Sequence, residues 1–183
     1  LLKMVDIYME AIIGTGEEHI KHIARKVIEQ KGDRVYTFTR ERIKWHKEQG
    51  HIVIAISGSP LELVKEMSEK YHMDDYRGTI YKLDENGKYN GEVVPMWDSD
   101  SKQKAINELV EKHDIDLSKS YAYGDTSGDY TMFKSVGCPF AINPTKELLG
   151  KIKNDESLKD KINLIVERKD VTYKLDMNSI EII

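Results

Sequence analysis

The sequence predicts an α/β fold in which a doubly wound sheet of parallel strands is flanked by helices. Short apolar runs typical of buried parallel strands, "HIVIAIS" at 51–57, "SYAYG" at 120–124 and "PFAI" at 139–142, alternate with amphipathic helical patterns. This alternation favours right-handed crossovers between neighbouring parallel strands. Because ligands of such sheets bind at the carboxyl ends of the strands, we look for function there.

The N-terminal part of the chain predicts helices. The segment "LLKMVDIYMEAII" is apolar at mixed spacing and ends at 14–16, and "TRERIKWHKEQ" forms a further helix that runs to Gly50. Between them, "EEHIKHIARKVIEQKG" has apolar residues at helical spacing before Gly32, namely Ile20, Ile23, Ala24, Val27 and Ile28.

The strand at 51–57 is followed by a helix start and a hairpin. In "GSPLELVKEMSEKY" we predict Ser59 as the N-cap, Pro60 at the first helical position and Glu62 completing a capping box. In "GTIYKLDENGKYNGEVV" the pair Asn86-Gly87 indicates the turn of a β-hairpin.

Four further elements follow. "SKQKAINELVEKHD" is an amphipathic helix, "DYTMFKSV" is a helix ended by Gly137, Asn143-Pro144 opens a helix over about 144–153, and "INLIVE" at 162–167 is a last strand.

Composition limits the classes of function. With 39% hydrophobic and 33% charged residues the chain can bury a core, and a net charge of −4 gives no support to a nucleic-acid or acidic-membrane partner. Apolar runs such as "IVIAI" are too short to cross a bilayer, and no secretory pattern is present. A single cysteine, Cys138, excludes an internal disulfide. We therefore expect a soluble, cytoplasmic protein.

Two aspartates follow the strand at 120–124 in the turn "YGDTSGDY". Asp125 stands at the strand end, and Asp129 lies four residues further along. Carboxylates are the ligands that Mg²⁺ prefers, usually one or two from the protein with water and a substrate phosphate. The alternative is that Asp129 only favours the start of a helix through the helix dipole.

Two weaker signals accompany the aspartates. Ser57-Gly58 lies at a strand end before a helix, where a hydroxyl and free amides can hold a phosphate, although Ser57 can equally be a turn residue. Lys102 begins a helix, where it can neutralise a phosphate or simply be solvated.

Taken together, these residues resemble the haloacid dehalogenase superfamily, closest to its phosphoserine phosphatase-like branch. The resemblance covers about 35–170, and it includes the segment "YGDTSGDYTMFKSVGCPFAINPTKEL". The matched residues are Ser57-Gly58, Lys102 (with Lys104 as the alternative), Gly124-Asp125 and Asp129.

The resemblance implies Mg²⁺-dependent phosphoryl transfer to an aspartate. The resemblance implies that Ser57 and the Gly58 amide bind phosphoryl oxygens and that Asp125 binds the metal. It also implies two catalytic residues: Lys102 offsets negative charge, and Asp129 orients Lys102 or a metal-bound water. The substrate is then a small phosphorylated metabolite, phosphoserine being one candidate.

The family's first motif, an Asp-x-Asp that carries the nucleophile and the general acid–base, has no match before Ser57. Asp98-Ser99-Asp100 comes after it and precedes a helix. We therefore expect a Rossmann-like core at 35–183 without its central first strand, and the C-terminal part of a helical cap at 1–34. We also expect these residues to belong to a longer chain that supplies the nucleophile, and to be inactive alone.

Two alternatives to a phosphatase remain. One is transfer of the phosphoryl group to an acceptor other than water. The other, motivated by the missing motif, is a non-catalytic module of the same fold that binds a ligand or a partner. The oligomeric state is not predicted.

Overall fold

The α/β class predicted from the sequence is confirmed by a computed structural model that describes residues 2–181. The helices are α1 (Leu2–Ile12), α2 (Glu17–Lys31), α3 (Thr37–Glu48), α4 (Leu61–Lys70), α5 (Ser99–His113), α6 (Tyr130–Ser135), α7 (Lys146–Lys153) and α8 (Glu156–Lys159). The strands are β1 (Ile54–Pro60), β2 (Asp75–Leu83), β3 (Tyr89–Val94), β4 (Tyr121–Gly124), β5 (Cys138–Ile142), β6 (Asn163–Glu167) and β7 (Thr172–Leu175).

The first of two structural units comprises, among the described residues, 2–35 and 42–97. Its sheet has the order β1-β2-β3, in which β1 and β2 are parallel and β2 and β3 form the predicted hairpin. The loop between α1 and α2 is attached to this hairpin, since the Gly14 amide donates to the Tyr89 carbonyl at 2.8 Å. Within the described residues β1 pairs on one side only, and it is therefore an edge strand.

The second unit comprises, within the described part of the chain, residues 36–41 and 98–181. Its sheet has the order β4-β5-β6-β7, parallel except for β7, and β4 is an edge strand of the described part. Apolar side chains of the sheet and of α6, α7 and α8 form the core. Its members with 0% exposure are Phe133, Ala141, Leu148, Ile152 and Leu158.

The parallel strands are therefore divided between two sheets. The two strands whose ends carry the predicted motifs, β1 and β4, each lie at an edge of their own sheet. The division into a cap at 1–34 and a core at 35–183 stays a prediction. No helix within residues 2–181 combines the length and apolar character that a bilayer span requires.

The predicted start of α4 is wrong by one residue. Pro60 is extended (φ −52°, ψ 139°) and ends β1, where it pairs with Thr79, so the helix begins at Leu61. Ser59 makes no cap, and Glu62 closes no capping box, because its carboxylate instead accepts a hydrogen bond from the Tyr89 hydroxyl at 2.8 Å. The helix after Asn143-Pro144 likewise begins later, at Lys146, with Thr145 as its N-cap.

We expect His46 to make the protein less stable as the pH falls. The imidazole is 8% exposed, and burial, Arg42 and His51 lower its pKa from 6.5 to about 4. Below pH 6.5 this histidine binds a proton in the unfolded chain but not in the folded chain. Its contribution to the free energy of unfolding is therefore complete above pH 6.5 and is lost as the pH falls toward 4. Chemical denaturation at pH 7.5 and pH 5 should show a loss of about 2 kcal/mol from this group.

The control compares two histidine variants. His46→Gln should remove that part of the pH dependence, whereas His72→Asn, at an exposed histidine with positive φ, should keep it. An equal pH dependence in both variants would exclude His46 as its source.

Candidate functional site

The centre of the candidate site is a buried ion pair in the second unit. Asp129 lies at the end of a short 3-10 turn (Ser127–Asp129) between β4 and α6, and it is 4% exposed. Its Oδ1 accepts a hydrogen bond from Lys102 Nζ at 2.5 Å, and Lys102 is 6% exposed. Because charges are rarely buried unless paired, each of these two side chains requires the other.

The second oxygen of Asp129 holds the loop that follows β4. Oδ2 accepts hydrogen bonds from the backbone amides of Asp125 and Thr126, both at 3.1 Å, and from the Thr126 hydroxyl at 3.2 Å. With both oxygens satisfied, the carboxylate is fixed in one orientation and Asp125 is fixed through its own backbone.

Gly124 allows this close packing. A Cβ built at Gly124 would stand 2.6 Å from Asp129 Oδ2 and 2.6 Å from its Cγ, closer than non-bonded atoms approach. The glycine is therefore required because the Asp129 carboxylate lies directly against the end of the strand.

Lys102 reaches Asp129 from the first turn of α5. Asp98 is the N-cap of this helix, and its side chain accepts a hydrogen bond from the Ser101 amide at 2.7 Å. The helix dipole disfavours a cation at this end, so the buried ammonium depends on the Asp129 charge. Lys104, the alternative lysine, is exposed.

Asp125 is the residue that can hold a metal ion. Its side chain is exposed, while its backbone carbonyl accepts a hydrogen bond from the Thr145 amide at 2.8 Å. Although the residue as a whole is exposed, desolvation by the protein atoms around its carboxyl and then the Asp129 charge raise the pKa of Asp125, and Lys102 opposes them. A cation would relieve this destabilised negative charge.

This donor set fits Mg²⁺ better than a metal held in a closed protein cage. Among residues 2–181 no group of three His, Cys, Asp or Glu side chains could surround an ion. Mg²⁺ needs only one or two carboxylates because it keeps water and binds substrate phosphate.

Ser57 and Gly58 lie in the first unit, in an irregularity of β1. The pairing of β1 with β2 changes register between Ile56 and Pro60 of β1. The β1 residues between these two positions therefore form a bulge in the strand. Ser57 Oγ accepts a hydrogen bond from the Ser59 amide at 3.2 Å, which leaves its own proton free to be donated. This is the turn role considered as the alternative, and it is compatible with phosphate binding.

Gly58 is held closely on both sides. Its carbonyl accepts a hydrogen bond from the fully buried Thr79 hydroxyl at 2.9 Å. A Cβ at Gly58 would stand 2.9 Å from the Cβ of Trp97, so a larger residue does not fit without movement of the chain there.

The structure thus brings three of the predicted residues together, Lys102, Asp125 and Asp129, in one unit. Ser57 and Gly58 adjoin each other in the other unit. Sequence analysis missed Thr126, although Thr126-x-x-Asp129 is a capping-box spacing that could have identified it. The Thr145 amide was also missed, and no local pattern indicates it.

Comparison with known proteins gives the family context of these residues. The family described as haloacid dehalogenase-like hydrolase matches residues 1–134. The "Inhibition of morphological differentiation protein" of Streptomyces azureus is 31% identical over 143 residues, which are 77% of this chain and 52% of the relative. A phosphoserine phosphatase of Methanocaldococcus jannaschii is 26% identical over 132 residues, or 72% of this chain and 57% of the relative.

A solved structure shares the fold. A phosphoserine phosphatase structure described as a phospho-aspartyl intermediate analogue has a TM-score of 0.59 at 22% identity, with 92% of this chain and 79% of that chain covered. This chain spans about half the length of the first curated relative it matches, and 39% of the next two. The predicted resemblance to phosphoserine phosphatases is confirmed by these likenesses.

Proposed function

Because the chain belongs to the haloacid dehalogenase-like hydrolase family, we propose that it carries most of the active site of a Mg²⁺-dependent phosphomonoesterase. The substrate is a small phosphorylated metabolite, with phosphoserine as one candidate. The observation that carries this proposal is the buried pair of Lys102 and Asp129 beside the exposed carboxylate of Asp125. Burying two charges is costly, and a fold without chemistry to perform has no need of such a pair at a strand end.

Each residue has a separate role. Ser57 and the Gly58 amide bind phosphoryl oxygens, and Lys102 offsets negative charge between the phosphate and the attacking carboxylate. Asp129 orients Lys102, with which it shares a hydrogen bond, and it fixes Asp125 through the Asp125 amide.

Asp125 holds Mg²⁺. When bound, the ion would neutralise charge on the phosphoryl oxygens. Without it, the several anionic groups gathered in the site would repel one another.

The nucleophile of the proposed aspartyl-phosphate is not assigned to any of the 183 residues. No Asp-x-Asp precedes Ser57, and Asp98 serves as the N-cap of α5. We propose that the nucleophilic aspartate is supplied from outside these residues, and that they are inactive alone. A cytoplasmic location also stays a prediction, and it rests on the single cysteine.

The missing motif also favours a second candidate, a non-catalytic module of this fold that binds a ligand or partner. Hydrolysis of a phosphate ester by the intact protein would exclude it. Transfer to an acceptor other than water would be detected as a phosphorylated acceptor.

The test of the proposed function is Asp125→Asn in the intact natural protein. Hydrolysis of p-nitrophenyl phosphate in the presence of Mg²⁺ should fall at least about a hundredfold, since Lewis-acid stabilisation is worth several kcal/mol. The free energy of unfolding should change little, because Asp125 is bonded to Asp129 through its backbone amide, which asparagine keeps.

The matched control is Asp170→Asn, at an exposed aspartate of the same unit, which should leave hydrolysis unchanged. Full turnover by Asp125→Asn would rule out this assignment of the metal ligand.

A further inference from the structure

A pocket in the first unit is separate from the residues assigned to phosphoryl chemistry. It has a volume of about 390 Å³ and lies between α1, α2 and the beginning of α4. This volume is within the range of small-molecule sites, which are mostly apolar with a few polar groups. The apolar part of its wall includes Ile12, Ile20, Ile23, Ala24, Val27 and Leu63.

Glu62 is the acidic residue among those that line this pocket. Its Oε1 accepts a hydrogen bond from the Tyr89 hydroxyl at 2.8 Å. Its Oε2 is buried and has no hydrogen-bond partner in the described part of the chain. A buried carboxylate oxygen without a donor is costly, so a donor in the pocket would be bound favourably.

Among the described residues that line the pocket there is no lysine or arginine that could neutralise the charge of Glu62. Tyr8 also lines the pocket, and burial, followed by the charge of Glu62, raises the pKa of Tyr8 to about 12. The surroundings are therefore poorly hydrated and negative, which favours a cation over a neutral donor.

We propose that this pocket binds a small primary amine with an apolar body. The ammonium donates to Glu62 Oε2, and the apolar body contacts the side chains of α1 and α2. Thr15 and His19 also line the pocket and offer further polar contacts. The site requires no phosphate and no metal, so it is independent of the proposed phosphatase activity.

The test is binding of three ring compounds that differ in one group, measured by calorimetry on the intact protein without phosphate. Cyclohexylamine should bind at least about tenfold more tightly than cyclohexanol, because a charge-assisted hydrogen bond is about twice as strong as a neutral one. Cyclohexanecarboxylate should not bind, because its charge repels Glu62.

Variants link the binding to this pocket. Glu62→Gln should remove the preference for the amine, and Glu69→Gln, at an exposed glutamate of the same helix, should keep it. Ile23→Trp, at a position 43% exposed on the pocket wall, should block binding without a change to Glu62. Equal affinity for amine and alcohol, or amine binding that survives both Glu62→Gln and Ile23→Trp, would overturn the proposal.

Discussion

Lys102→Met is expected to lower the free energy of unfolding by about 3–5 kcal/mol, because it leaves the Asp129 carboxylate buried and without its cation. Lys102 and Asp129 are only 6% and 4% exposed, so water cannot replace the missing ammonium. Methionine keeps most of the volume of the side chain and isolates the loss of charge. Urea denaturation at neutral pH measures the change.

Two further variants separate the ion pair from general damage to α5. Lys104→Met, at an exposed position of the same helix, should change stability by less than about 0.5 kcal/mol. Asp129→Asn combined with Lys102→Met should cost less than the sum of the two single changes, because the buried charges are then both absent. Additive effects, or a stable Lys102→Met protein, would contradict a coupled buried pair.

The elements predicted correctly are those whose own residues carry the pattern. α2 follows an apolar repeat that ends before Gly32, and β4 and β5 are short apolar runs between turn signals. Such elements bury one face whatever their neighbours are, so local sequence is enough to identify them.

The elements that were missed depend on their partners. The first part of β2, Asp75-Tyr76-Arg77, is polar and is extended because it pairs with Ile54–Ile56 of β1. β7 was missed although Val171, Tyr173, Leu175 and Met177 alternate with polar residues, a period-two strand pattern. The strand is mostly exposed and, within residues 2–181, pairs only with β6.

The candidate site was partly predictable for the same reason. Asp125 and Asp129 follow a recognisable strand, and their position alone indicated a site. The contact of Asp129 with Lys102 joins residues 27 apart in sequence, and only the family resemblance implied it. The hydrogen bond between Glu62 and Tyr89 also joins residues 27 apart in sequence, and no motif implied it.

Gly124→Ala is expected to destabilise the protein by about 3 kcal/mol and to abolish the proposed hydrolysis. The new methyl group would lie 2.6 Å from Asp129 Oδ2, so the carboxylate must move. Movement breaks its bonds to Lys102, to the two amides and to the Thr126 hydroxyl, and each unsatisfied buried group costs about 1–3 kcal/mol. Denaturation and p-nitrophenyl phosphate hydrolysis measure the two effects.

Gly150→Ala is the matched control, because it makes the same chemical change inside α7 where a Cβ has nothing within 4 Å. Alanine should raise stability there by about 0.5–1 kcal/mol, since glycine is unfavourable within a helix. The two alanine substitutions should therefore change the free energy of unfolding in opposite directions. If Gly124→Ala were as stable and as active as the parent protein, the Asp129 carboxylate could not be fixed against the end of β4, and the orienting role proposed for it would have to be abandoned.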